Sequence, residues 1–553
     1  MNREELKNLF NQDLKPFENN QIDTNLLSQF DEYLFCCLDD YNLSNEVISV
    51  YNKFVSMKQE APQGMKNELF STIRNFAKSQ INNSNLVEAL ILYRFLIVKS
   101  ELFAEDYANV AECIAKLGNN ELACIFINLY KIKEENKPLM FISVANFYNL
   151  LIKDYKTAIK YYEKYIEIDK TKSVIYTILA NLYKKVYGDD RLKDQIFYLL
   201  KANSLKPNDR LILHGLAFGY EKLEDFPNAK KYYEELLLNN PTSIDYYNYG
   251  LFLIHNGQMH EGHQYFTSRF LIDDENLRYP VKFPNDKKWD LKSNISDKTL
   301  LVHYEQGFGD TFMYCRFIPQ LKKFAKKVVF IVQDNLFELI KNSPIISDGI
   351  EIVSDKNCTG IQYDYSMALM DAPYVVGIDK DTLPLTDGYL DIDSDAVKKY
   401  ADKYLNKNNK LKIGIAYSGD KNANYHGRDI DISKFKPIGE IDNMEVYSLQ
   451  YGESELFENI INLGNTFDSF TDTACAIKNM DLIITTDNVI LNLAGALGVN
   501  TIGLFNKYTN FRWYKTNGNN VGWYKSVKPI QAKSENDWGY VFAEVVKYIN
   551  ATF

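Results

Sequence analysis

No apolar stretch in the 553-residue chain approaches the ~18–20 residues that a membrane-crossing helix needs, so membrane insertion is not expected. No Cys-x-x-Cys pair occurs either. The cysteines (Cys36, Cys37, Cys113, Cys124, Cys315, Cys358 and Cys475) are scattered, which argues against a disulfide scaffold or a structural zinc site and fits a reducing cytoplasm. An excess of positive charge is also missing. With 63 Lys+Arg against 73 Asp+Glu the formal net charge is −10, so the chain has no global attraction for nucleic acid or anionic membrane. The start, Met1-Asn-Arg-Glu-Glu-Leu-Lys7, carries acidic residues and leads into no apolar core, so no secretory signal is expected. Hydrophobic residues at 46% and charged residues at 25% exclude wholesale disorder. At roughly 100–200 residues per domain, the length corresponds to about three to five domain-sized units.

The first half of the chain repeats. A small residue at Ala229 is followed by an aromatic four positions later (Tyr233), by Leu236 at seven and by Pro241 at twelve. The same frame recurs at Ala89 (Tyr93, Leu96), Ala123 (Ile127, Tyr130), Ala158 (Tyr162, Tyr165), Gln195 (Leu199, Ala202, Pro207) and, weakly, Gly262 (Phe266, Arg269). The differences 123−89, 158−123, 195−158, 229−195 and 262−229 give steps of 34, 35, 37, 34 and 33 residues. About 34 residues is two short antiparallel helices with their turns. The small residue lets the second helix approach the first, the aromatic fills the gap to the next pair, and the proline ends the helix. First helices fit at Ala180/Tyr183, Ala217/Tyr220 and Gly250. The pattern resembles a tetratricopeptide (TPR) array over residues 81–275, preceded by a helical segment at 1–80 without a clear register. Such a solenoid offers a groove for a peptide or a docking surface rather than chemistry.

After about residue 275 the period changes. Apolar runs at 298–305, 327–332, 349–353 and 363–370, then at 411–417, 444–449, 480–485 and 500–505, alternate with amphipathic helices such as 311–324 and 335–341. Strands alternating with helices predict parallel sheets covered on both faces. The polar stretch 391–410 splits them into two Rossmann-like domains, 276–400 and 401–553, facing across a cleft. Ligands of such sheets lie beyond the carboxyl ends of the strands.

Three strand-end loops carry the candidate chemistry. The first is Glu305-Gln-Gly-Phe-Gly-Asp-Thr311, where Gly307 and Gly309 allow close backbone approach and a helix N-terminus follows. Asp310 there is either a cleft-facing carboxylate or a simple helix cap. The second, Tyr417 to Arg428, offers Ser418, Gly419, Lys421 and Arg428, groups suited to phosphate. In the third, Thr485 to Gly498, Asp487 and Asn488 are the site candidates, and Ala494, Gly495, Ala496 and Gly498 allow tight helix packing.

These loops in this order, together with Tyr447-Ser-Leu-Gln450, Phe470-Thr-Asp-Thr-Ala474 and Leu493-Ala-Gly-Ala-Leu-Gly498, resemble the bacterial heptosyltransferase-like glycosyltransferases of the GT-B fold. The likeness is to the subgroup in which that domain follows TPR repeats, and the joint architecture is related to that of the O-linked N-acetylglucosamine transferases. The resemblance implies that Asp310 is the general base. It implies that Gln306, Gly307, Gly309, Thr311, Ser418, Gly419, Lys421, Arg428, Gln450, Asp487, Asn488 and Asn492 surround a nucleotide-diphosphate sugar. Two departures stand out. Asn492 occupies a position where the family usually has His, and Tyr451 follows Ser-Leu-Gln where Lys is common. Both remove positive charge near the departing diphosphate, leaving Lys421, His426 or Arg428 to supply it.

The implied function is cytoplasmic, metal-independent transfer of a sugar to Ser/Thr of a protein acceptor held in the TPR groove, with flagellin or another bacterial surface protein as an example. No cofactor or metal is expected. GT-B enzymes meet the leaving charge with helix N-termini and side chains, and Asp391-Ile-Asp393 and Asp429-Ile-Asp431 read as solvated carboxylates rather than a metal motif. The alternatives are a non-catalytic TPR scaffold with a degenerate GT-B domain, or transfer to a lipid-linked or lipopolysaccharide glycan.

Overall fold

In the computed structural model the repeat frame is the inside of a helical stack. The structure describes residues 24–37, 44, 47, 49–50, 63–98, 102–272, 287–419, 427–452, 457–513 and 522–553. It divides into two compact units, Met1–Gly219 and Tyr220–Phe553. The division falls within the expected repeat array, near the end of one of its helices.

The first unit contains helix α1 (Thr24–Cys37) and four hairpins. These pair α2 (Gln63–Asn82) with α3 (Leu86–Val98), α4 (Ala104–Lys116) with α5 (Asn120–Lys133), α6 (Pro138–Asn146) with α7 (Tyr155–Ile168), and α8 (Ser173–Tyr187) with α9 (Leu192–Leu205). Helix α10 (Arg210–Lys222) follows. The first position of the frame is buried throughout: Ala89, Ala123, Ala158 and Gln195 here, and Ala229 and Gly262 in the second unit. So are the larger partners Tyr93, Ile127, Tyr162, Leu199, Tyr233 and Phe266. Each such burial is worth about 1.5–3 kcal/mol, and this periodic burial holds the hairpins together. The hairpin turns share a second signature. A residue with positive φ recurs at Ser84, Gly118, Lys153, Gly188, Glu224 and Gly257. Asn119, Asp154 and Asp225 then cap the second helices by accepting from the backbone N–H of Leu122, Thr157 and Asn228. The segment that lacked a register is anchored by charge: buried Arg94 donates to both carboxylate oxygens of Asp31 at 2.7 and 2.9 Å, and Arg74 pairs with Asp106 at 2.7 Å.

The second unit begins with repeat helices α11 (Phe226–Leu237), α12 (Ser243–His255) and α13 (Met259–Phe266). Helices α12 and α13 cross at Gly250 and Gly262, where a Cβ on Gly250 would lie 2.8 Å from Phe266 N and 2.9 Å from Gly262 O. Two all-parallel sheets follow. The first has the order β3-β2-β1-β4, with β1 Ile295–His303, β2 Ala325–Val332, β3 Glu351–Ser354 and β4 Tyr365–Ala368. The second has the order β10-β9-β8-β5-β6-β7, with β5 Leu411–Ala416, β6 Met444–Ser448, β7 Ile460–Asn462, β8 Leu482–Thr486, β9 Thr501–Phe505 and β10 Val527–Gln531. The eight expected strands are present. The two unexpected ones, β7 and β10, are the edges of the second sheet. β7 has three residues, and β10 contains Pro529, which suits an edge.

Two further differences from the expectation have simple causes. The helix expected at 311–324 is α14 (Phe308–Tyr314) followed by shorter turns, the second of which carries Pro319 at its start. The polar stretch 391–410 contains helix α16 (Ser394–Tyr404), which follows α15 (Asp334–Lys341) in the chain. Buried Tyr400 bonds Thr466 at 2.7 Å there, and Asn479 donates to Val397 O at 3.0 Å. Helices α17 (Phe470–Lys478), α18 (Val489–Ala496) and α19 (Trp538–Thr552) complete the second α/β domain. No helix among the described residues is long and apolar enough to cross a membrane.

One buried cluster ties the last repeat helices to the first sheet. Arg269, just beyond α13, is fully buried. Its Nε and Nη2 donate to Glu305 at 2.9 and 2.6 Å, and its Nη1 donates to Asp371 at 2.6 Å. Glu305 also accepts from the Met370 N–H at 3.0 Å. Burial pushes the Asp371 carboxyl up, against the pull of Arg269.

Candidate functional site

The helices that follow β1 and β8, central strands of the two sheets, pack against each other. From β1 the chain turns through Gln306, whose φ of 61° places a non-glycine residue in the left-handed region, into α14. From β8 it turns through Asp487 and Asn488 into α18. The two helices pack directly. A Cβ on Gly309 would approach Asn492 Nδ2 to 3.0 Å, and Phe470 packs edge-on against Phe308 and Phe312 at 5.1 and 5.6 Å. Gly309 thus lies close against another helix of the protein itself.

Asp310 caps its helix and is paired with a cation. Its Oδ2 accepts from the Gly307 N–H at 3.1 Å, capping α14. Its Oδ1 lies 2.5 Å from Nε of Arg512, a residue of the loop after β9. Arg512 Nη2 donates to Gln306 Oε1, and Nη1 donates to Asn510 Oδ1 at 2.8 Å. Its guanidinium lies 4.5 Å from the Phe511 ring centre. Both side chains of the pair are mostly shielded, at 16% and 15% exposure. Gln306 Nε2 is buried without a hydrogen-bond partner among the described residues. Arg512 was missed by sequence reading. It lies 202 positions from Asp310 (512−310) in a loop without a motif.

On the second domain the expected residues converge, chiefly on one another. Gln450 Oε1 accepts from the backbone N–H groups of Tyr417 and Ser418 at 3.2 and 3.1 Å. Asn488 caps α18 through Ile490 N and Leu491 N at 2.9 and 3.3 Å, and its Nδ2 donates to Ser418 O at 3.3 Å. Asn492 accepts from the Tyr524 hydroxyl at 3.0 Å and donates to Asn488 O at 3.2 Å. These amides fix the strand-end loops. Gly419 donates to Asp429 Oδ1 at 2.9 Å and lies against the Arg428 guanidinium, which an added Cβ would meet at 2.5 Å. Arg428 Nη1 donates to Asp487 O at 3.1 Å. Asp487 is the perturbed carboxyl of the site. Burial pushes it up, while the Trp513 indole and the guanidiniums of Arg512 and Arg428 pull it down.

Thr311 faces away from this meeting point. It is fully buried, and its hydroxyl donates to Gln333 Oε1 at 2.8 Å, tying α14 to the end of β2. Lys421 and His426 lie outside the described residues. The Asp-x-Asp carboxylates have local roles: Asp393 and Asp431 accept from Ala396 N and Ser433 N, both at 2.8 Å. No group of three or more His, Cys, Asp or Glu among the described residues is placed to hold a metal ion.

Chemically, the arrangement offers a carboxylate at a helix start, two arginines and a perturbed carboxyl at the seam of two parallel sheets. No protein-family model matches the chain, and no curated protein matches it. Solved structures with similar parts include a glycosyl transferase family 9 protein from Veillonella parvula (12% identity, 47% of this chain and 99% of that one, TM-score 0.36). They also include the Escherichia coli ADP-heptose lipopolysaccharide heptosyltransferase II (12% identity, 46% and 98%, TM-score 0.34). A further similar structure is MamA from Desulfovibrio magneticus (20% identity, 31% of this chain and 93% of that one, TM-score 0.27).

Proposed function

We propose that the protein is a glycosyltransferase that moves a sugar from a nucleotide-diphosphate donor to a hydroxyl of a protein acceptor recruited by its repeats. The observation that carries this reading is the Asp310–Arg512 ion pair between the segments that follow β1 and β9, with Arg428 bonded to Asp487 O at the end of β8. Open parallel sheets bind ligands at such ends. A carboxylate there can take the acceptor proton while guanidiniums meet the charge of a leaving diphosphate. Arg428, bonded to Asp487 O beside the start of α18, contributes the second guanidinium. No metal is required in this scheme, because arginine and helix N-termini carry the charge. The repeat hairpins support a protein acceptor over a lipid-linked one, since a lipid acceptor needs no peptide-binding surface.

One observation favours the rival reading of a non-catalytic binding module: both Asp310 oxygens are engaged, one by Gly307 and one by Arg512. The two readings are separated by incubating the full chain with UDP-, GDP-, ADP- and CMP-sugars and a co-expressed, co-purifying acceptor. Release of the nucleotide with a hexose-, hexosamine- or heptose-sized mass increment on the acceptor is expected. An unmodified partner that co-purifies, with no nucleotide released from any donor, would establish the scaffold instead. A mass increment on a glycolipid alone would move the acceptor class to lipid.

A further inference from the structure

We infer that Arg512 is the residue that meets the donor's diphosphate, and that its ion pair with Asp310 keeps the base occupied until a donor arrives. The inference rests on the glycosyltransferase reading and adds to it a donor contact and an order of events. Arg512 belongs to the second domain, yet its partners Asp310 and Gln306 belong to the first. It therefore bridges the two strand-end loops across which a donor would lie.

Two observations point the same way. Arg512 and Arg428 both act on the Asp487 carboxyl, so the two guanidiniums share one locality. Finally, Gln306 Nε2 is a buried donor beside Arg512 with no acceptor among the described residues, and a phosphate oxygen would satisfy it. The planar guanidinium presents several donors in a fork that matches a diphosphate as well as a carboxylate.

The step is balanced without a co-reactant. In the free protein Arg512 holds Asp310. When a nucleoside diphosphate group enters, the guanidinium transfers to it and Asp310 Oδ1 is released. The acceptor hydroxyl then gives its proton to Asp310 as its oxygen bonds the anomeric carbon. The bond from that carbon to the diphosphate breaks, and its electron pair stays on the diphosphate beside Arg512. Donor binding would thus precede use of the base, giving donor-first ordered kinetics.

The test is titration of the full chain with UDP, GDP, ADP and CDP, using the wild type, Arg512→Met, Arg512→Lys, Asp310→Asn and the Asp310→Asn/Arg512→Met double variant, with a melting curve for each. Arg512→Met should weaken the best-binding diphosphate by roughly ten- to a hundredfold, as expected for a lost charge-assisted donor. Arg512→Lys should fall between it and the wild type. Asp310→Asn should tighten binding severalfold, because the competing carboxylate is gone, and that gain should vanish in the double variant. A merely structural latch would move both single variants in the same direction, and that result would overturn the inference. So would wild-type affinity in Arg512→Met, which leaves the glycosyltransferase reading standing. Absence of binding by the wild type to all four diphosphates would remove that reading, and this inference with it.

Discussion

Replacing Arg269 with Met should unfold the α/β unit at markedly lower temperature. Arg269 is fully buried and makes three close contacts to carboxylates: 2.9 and 2.6 Å to Glu305 and 2.6 Å to Asp371. Its guanidinium also lies 4.3 and 4.1 Å from the ring centres of Phe266 and Phe270. Met retains much of that apolar packing and removes the charge. Two nearly inaccessible carboxylates, at 8% and 1% exposure, then lose their bonded cation, and Lys288 is the cation that remains near them. Breaking a buried pair by removing one partner costs about 3–5 kcal/mol. For a unit of this size that corresponds to a loss of roughly 4–7 °C. Tryptophan fluorescence reads this unit alone, because Trp289, Trp513, Trp523 and Trp538 all lie within 220–553. The sign of the pH effect follows from Asp371. Its folded-state carboxyl is raised above the ordinary value, so the folded state binds the proton more readily, and stability falls as pH rises through that raised value. Without Arg269 the rise is larger, so the deficit of Arg269→Met should shrink toward acid pH. Adding Asp371→Asn should restore part of the stability at neutral pH. A loss below about 1 kcal/mol, unchanged between acid and neutral pH, would refute this account of the cluster.

Asp310→Asn keeps a side chain able to cap α14 and should lower sugar transfer by ~10²–10⁴ with a melting temperature close to wild type, measured on one preparation. Asn488→Ala loses the cap of α18 and the tie to Ser418 and should cost about 1–2 kcal/mol in chemical denaturation. Gly262→Ala places a Cβ 2.8 Å from Ile254 N and 3.0 Å from Gly250 O, so the α12–α13 crossing must open; a loss of about 1–3 kcal/mol is expected from tryptophan-monitored unfolding. Nucleoside diphosphate affinity should be unchanged by EDTA, and an affinity abolished by EDTA and restored by Mg²⁺ or Mn²⁺ would contradict the proposed arginine-based handling of the diphosphate.

The repeats were legible because their constraint is periodic. Ala89, Ala123 and Ala158 are fully buried at the same place in successive hairpins, and each recurrence strengthens the others. The central strands were legible because strands covered on both faces form continuous apolar runs. The edge strands β7 and β10 were not, since an edge needs no such run. In the site, sequence spacing located the loops but not the direction of their side chains. Asn488, Asn492 and Thr311 occupy the right turns, yet their hydrogen bonds run to the protein itself. Arg512 shows the opposite limit. An isolated arginine in a loop carries no pattern, and only the fold brings it to Asp310.

The Arg269 cluster also says where this molecule can be cut. The repeat pattern ends near residue 275, but Arg269 and the Gly250–Gly262 crossing lie within the unit that begins at Tyr220. A fragment started at 276 would carry Glu305 and Asp371 without their cation. The last hairpin is thus a repeat by ancestry of pattern and a structural part of the α/β unit by packing. Exchange of one repeat array for another, in the laboratory or by recombination, would have to join ahead of residue 220 and leave this hairpin in place.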